Sequence, residues 1–190
     1  MRQLILSMAA LLAFSLNACS QPNKEEKSMK KEDAKTVLVA YFSATGTTAE
    51  AAELLAQAAN ADLYEIVPEA EYATADLDWH DKKSRSTLEM ADEACRPAIK
   101  GTVADVSRYD TVYLGFPIWW YTAPRIINTF LEKNNLTGKR IVLFATSGGS
   151  TTSRATRELQ DTYPSLTFED GGLLNDRTPQ EAEALVAKTR

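Results

Sequence analysis

With 190 residues, 44% of them hydrophobic and 25% charged, the chain suits one globular domain with a real core plus a short appendage. Its 26 acidic and 21 basic residues leave a net charge of −5, which argues against a nucleic-acid partner, since that needs a basic face to neutralise phosphates. Two cysteines, Cys19 and Cys95, are too few for a disulfide scaffold, so the fold must rest on packing.

The first residues stand apart from that core. Met1-Arg2 is a minimal basic start, and Leu4 to Leu16 is an apolar run too short to span a bilayer comfortably as a permanent helix. The run ends in Leu16-Asn17-Ala18-Cys19, which resembles a bacterial lipobox. Residues 1–18 are therefore expected to be a lipoprotein signal peptide, and Cys19 the mature, acylated N-terminus. Each buried CH₂ contributes about 0.8 kcal/mol, so several acyl chains suffice to hold a protein on a membrane. The expected location is outside the cytoplasm, lipid-anchored to a bacterial membrane on its periplasmic side or at the cell surface. Residues 19–35 are rich in Lys, Glu, Gln, Asn and Ser with almost no apolar groups. They bury too little to offset ordering entropy and read as a disordered tether. With Cys19 acylated, Cys95 stands alone and reads as a small buried hydrophobe.

The folded domain spans 36–190. Thr36 to Phe42 is a nearly continuous apolar, β-branched run of strand length, the pattern of a central strand covered on both faces. A hydroxyl-rich turn, Ser43 to Thr48, follows at once, and Ala49 to Ala59 is an Ala/Leu/Glu/Gln stretch with helical spacing. Asp62 to Val67 alternates as a strand and is closed by Pro68. An insertion from Pro68 to Lys100 carries Trp79 and His80 and is longer than a simple crossover. Thr111 to Gly115 is the next apolar strand. It opens the loop Phe116 to Pro124, after which Arg125 to Glu132 is amphipathic, with Pro124 placed as a first-turn proline. Arg140 to Ala145 is a third buried strand, running into Thr146-Ser-Gly-Gly-Ser150, and Ser153 to Asp161 reads as a helix. Leu166 to Phe168 is a weak strand, and Gly171-Gly172 marks a turn or bulge. Thr178-Pro-Gln-Glu181 offers an N-cap threonine, a first-turn proline and a glutamate at N3, before an apolar stripe to Ala187. Strands alternating with helices imply a parallel sheet with right-handed crossovers. Such sheets bind ligands beyond the carboxyl ends of their strands, where all three polar loops lie.

Ser43, Thr45, Thr47 and Thr48, with Gly46 allowing a tight turn, set hydroxyls and N–H groups at a helix N-terminus, which makes an anion site. No Gly-Lys-Ser/Thr ending follows, so a terminal monophosphate fits better than a nucleoside triphosphate. The second loop holds Pro117, Ile118, Trp119, Trp120, Tyr121 and Thr122. Its three adjacent rings cannot all enter the core, and aromatic stacking suits a flat, electron-poor ligand. In the third loop, Thr146, Ser147 and Ser150 give hydroxyls, and Gly148 and Gly149 permit close approach of backbone to a ring edge.

Together these loops resemble those of the flavodoxin family, most clearly at Tyr41-Phe-Ser-Ala-Thr-Gly-Thr-Thr48, which is similar to the family's FMN-phosphate turn. Gly115-Phe-Pro-Ile-Trp-Trp120, Thr146-Ser-Gly-Gly149 and the segment from Asp78 to Ile99 are similar to an exported bacterial subgroup. The resemblance implies an α/β, doubly wound, five-stranded parallel sheet of order 2-1-3-4-5 with helices on both faces. It also implies FMN, its phosphate on Ser43 to Thr48 and its isoalloxazine between the second and third loops. Tyr121 departs from the small residue expected after the paired tryptophans, leaving open which ring stacks on the flavin. The function implied is electron transfer with redox partner proteins at a membrane, the alternative being an NAD(P)H-dependent quinone or nitro reductase on the same fold. A hydrolase using Ser147 fares worse, because there is no Gly-x-Ser-x-Gly elbow and His80 is the only histidine.

Overall fold

Residues 36–102 and 105–190 are described by a computed structural model; the signal peptide, Cys19 and the tether lie outside them. The strands are β1 (Val37–Tyr41), β2 (Asp62–Glu65), β3 (Thr111–Pro117), β4 (Arg140–Thr146) and β5 (Thr167–Leu173). The helices are α1 (Thr47–Ala59), α2 (Arg85–Ala91), α3 (Arg125–Lys133), α4 (Ser153–Thr162) and α5 (Pro179–Lys188). All four strand pairings are parallel, and the order is β2-β1-β3-β4-β5.

Strand alternation sorts the core into two layers. Leu38 and Ala40 of β1, Leu114 and Phe116 of β3, and Leu143 of β4 face α3 and α4, which contribute Ile126, Phe130 and Leu159. Val39 and Tyr41, Tyr113, and Val142 and Phe144 face α1 and α5, which contribute Leu55, Leu185 and Val186. Because both faces of the three inner strands are covered, those strands read as unbroken apolar runs. Gly115 is required where Phe144 lies across β3: a Cβ there would fall 2.1 Å from the ring.

Three features differ from the sequence expectation. β5 extends through Gly171-Gly172 and does not stop at Phe168; Leu143 pairs with Asp170 and Phe144 with Gly172, so Gly171 is the extra residue of a bulge. The insertion contains α2, capped by Ser84, whose Oγ accepts from the Thr87 N–H. At α5, Thr178 caps the Glu181 N–H as expected, but the Glu181 carboxylate accepts from the N–H groups of Asn175, Asp176 and Arg177 and not from Thr178. The insertion is closed at its base, where Glu69 N–H donates to Ala98 and Lys100 N–H donates to Val67, both at 2.8 Å. No helix among the described residues is long and apolar enough to cross a membrane.

Candidate flavin site

The ends of β1, β3 and β4 bring the three polar loops to one edge of the sheet. In the turn after β1, Gly46 takes φ 89° at the N-cap of α1 and supplies no side-chain cap, so the first-turn N–H groups are left for solvent or a ligand. Ser43 Oγ accepts from Gly46 N–H at 3.1 Å, fixing the turn. The Thr45 and Thr47 hydroxyls lie 3.3 Å apart and exposed. Thr48 is different: its hydroxyl is buried against that of Thr146 at 2.8 Å, tying the first loop to the third.

The third loop is braced from within the chain. Ser147 Oγ accepts from the N–H groups of Gly149 and Ser150, at 3.2 and 2.8 Å. Asn175 clamps the Ser147 backbone, accepting from its N–H at 2.9 Å and donating to its carbonyl at 2.8 Å. The hydroxyl of Ser147 thus serves the turn, and the ring of His80 lies 3.5 Å from that of Trp79.

Across from this loop the chain reverses over Trp119 to Thr122, each of which donates its N–H to the other's carbonyl at 3.0 Å. Trp120 and Tyr121 hold φ 46° and 68°, the geometry of a type I′ turn that normally takes Asn-Gly. Left-handed backbone costs a non-glycine residue roughly 1–2 kcal/mol. The three rings have separate fates. Trp119 is packed edge-on against Phe42 at 5.6 Å and Tyr72 at 5.4 Å, whereas Trp120 and Tyr121 remain 38% and 63% exposed. Tyr72 belongs to the insertion. Its ring carries the Arg85 guanidinium at 4.0 Å, and its hydroxyl donates to Glu89 at 2.5 Å. Burial and then that bond push the Tyr72 phenol far above its ordinary value, so it stays protonated.

These parts enclose a cleft of about 620 Å³ lined by the second and third loops, with Leu77, Trp79 and Ser86 of the insertion forming the rest of its wall. Comparison with known proteins then places the chain. The flavodoxin family model matches residues 36–189. A presumed flavoprotein from Bacteroides eggerthii DSM 20697 shares 51% identity over 80% of this chain and 96% of its own, with a TM-score of 0.78. A second, from Bacteroides uniformis ATCC 8492, shares 50% over 80% of this chain and 98% of its own, also at 0.78. The chain belongs to the flavodoxin family.

A flavoprotein from Lactobacillus acidophilus NCFM, solved in complex with FMN, shares the flavodoxin fold at 21% identity, a TM-score of 0.62, and coverage of 82% of this chain and 98% of its own. No curated protein matches. The flavodoxin cofactor is FMN, and the residues fit it: N–H groups without a side-chain cap and two exposed hydroxyls, bonded only to each other, for a phosphate, and an aromatic and glycine-walled cleft for a flat ring. Of the sequence-derived set, Ile118, Trp119, Trp120, Tyr121, Ser147, Gly148, Gly149 and Ser150 line that cleft together. Pro117 pairs with Thr146 inside the sheet, and Thr122 is buried and lines a neighbouring cleft. Asn175, Leu77 and Ser86 are additions; no local pattern around them marks a site, because distant contacts bring them in.

Proposed function

We propose that this flavodoxin-family protein carries electrons singly between redox partner proteins at a bacterial membrane, held there through an acylated Cys19. FMN, when bound, supplies the electron chemistry. The chain supplies placement and tuning: the N-terminus of α1 with Thr45 and Thr47 receives the phosphate, and the two loops set the ring in the cleft. The observation that carries the reading is the rim. Trp79 and Tyr121, 66% and 63% exposed, stand where the cleft meets solvent, so a partner protein is able to touch side chains that also line the ring's cleft. The acidic surface adds to this in two ways. It suits basic partners, and a carboxylate about 10 Å from the ring opposes an added electron by roughly 1.7 kcal/mol at an effective dielectric of 20, about 70 mV.

The test is to mix FMN-loaded protein with NADH or NADPH and a quinone. The carrier reading expects no catalytic consumption of either nucleotide. Steady turnover assigns the protein to the NAD(P)H-dependent quinone or nitro reductases.

A further inference from the structure

The loop after β5 touches both halves of the flavin site. Asn175 clamps Ser147 of the third loop. Two residues on, the Arg177 guanidinium pairs with Glu50 in the first turn of α1, Nε to Oε2 at 2.9 Å. Arg177 reaches that position under strain. Its backbone has φ 49°, in the left-handed region that favours glycine. The Glu181 carboxylate holds it there, accepting from its N–H and from those of Asn175 and Asp176, each at 3.1 Å. The ion pair is open to solvent on both sides, and a pair of that kind returns little stability. A strained residue that gains so little for the fold points to a duty for the side chain it aims.

The charge at the start of α1 says which duty. From Ser43 to Glu50 the chain holds no lysine or arginine, and Glu50 is the only charged side chain of that stretch. A phosphate on the first-turn N–H groups carries a charge of about −1.5 to −2 at neutral pH. An uncancelled Glu50 carboxylate in the same turn would repel it. We infer that Arg177 is a specificity-determining residue for the FMN phosphate: by cancelling the charge of Glu50 it lets the start of α1 hold a dianion, so that the site prefers FMN to riboflavin. Arg177 acts through Glu50, and the inference rests on the phosphate placement proposed above.

Flavin fluorescence quenching tests it, with FMN and riboflavin titrated separately into flavin-free protein at low salt. Arg177→Gln is expected to weaken FMN about ten-fold and to leave riboflavin unchanged. The loss should shrink in 1 M KCl, where the screening length falls to about 3 Å. Arg177→Gln/Glu50→Gln removes both charges and is expected to recover the parent's FMN affinity, which a merely structural Arg177 would not allow. Arg177→Gly suits the left-handed backbone; it should bind FMN as weakly as Arg177→Gln while resisting urea at least as well as the parent. A double variant that stays as weak as Arg177→Gln overturns the inference, as does an equal loss of riboflavin. Unchanged FMN affinity in Arg177→Gln, in a parent that prefers FMN, overturns the inference alone. A parent that binds FMN no better than riboflavin overturns the phosphate placement with it.

Discussion

At the scale of single residues, the site holds strain and burial that an average protein surface would not. Trp120 and Tyr121 keep left-handed backbone where Asn-Gly is preferred, and both line the flavin cleft. Strain of this kind persists where the surroundings over-determine it, commonly at ligand sites. The double variant Trp120→Asn/Tyr121→Gly is therefore expected to raise the stability of the FMN-free protein by about 1 kcal/mol while weakening FMN. Denaturant titration and flavin fluorescence quenching measure the two effects; a loss of stability would show that the rings pack and the backbone is not strained. Tyr163 gives a pH dependence. Burial, followed by its bond to Glu132 at 2.8 Å, pushes its phenol up to about 12, against about 10 in the unfolded chain. The folded state thus keeps the proton longer. The associated stability is complete below pH ~10 and is lost as pH rises through ~12, with Tyr72 acting in the same direction. Tyr163→Phe should be less stable at neutral pH but show a flatter decline above pH ~10 in urea titrations; parallel declines would remove Tyr163 as the cause.

At the scale of elements, the phosphate site proposed above sits at the start of α1. Its first turn has no side-chain cap, and the exposed hydroxyls of Thr45 and Thr47 bond only to each other. Hydrogen bonds to a charged group are worth about 1.5–3 kcal/mol each, so Thr45→Ala/Thr47→Ala should weaken FMN on the order of 100-fold. Riboflavin, which lacks the phosphate, should be nearly unaffected, and an equal loss for both flavins would make the turn structural. This element was legible because a buried strand, a hydroxyl turn and a helix follow one another in sequence. β5 was only half legible: Glu169-Asp170-Gly171-Gly172 has little strand propensity, and pairing with β4 extends the strand regardless. α2 was not legible at all. It has 7 residues, too few to show a period, and is fastened by Arg85, which bonds Glu89 and the Ala70 carbonyl. Nor does sequence separate two adjacent tryptophans. Trp119 is drawn inward by Tyr72, far away in the insertion, and nothing around Trp119 itself signals that contact.

At the scale of the molecule, the sheet sets three loops at one edge, the insertion walls the cleft, and an acylated Cys19 would hold the whole against a membrane. Cys19→Ser should abolish labelling by a fatty-acid probe and leave an uncleaved or soluble protein; equal labelling of variant and parent would remove the anchor from the account. Single-electron transfer makes the sharper demand. Indole faces along the cleft and the net negative charge of the protein oppose negative charge on the ring, so the second electron should be harder to add than the first. Anaerobic potentiometric titration of the FMN-loaded protein, followed by absorbance, tests this directly. Two resolved one-electron steps, with the second at lower potential, are expected. A single merged two-electron step would contradict the carrier reading and point to a reductase.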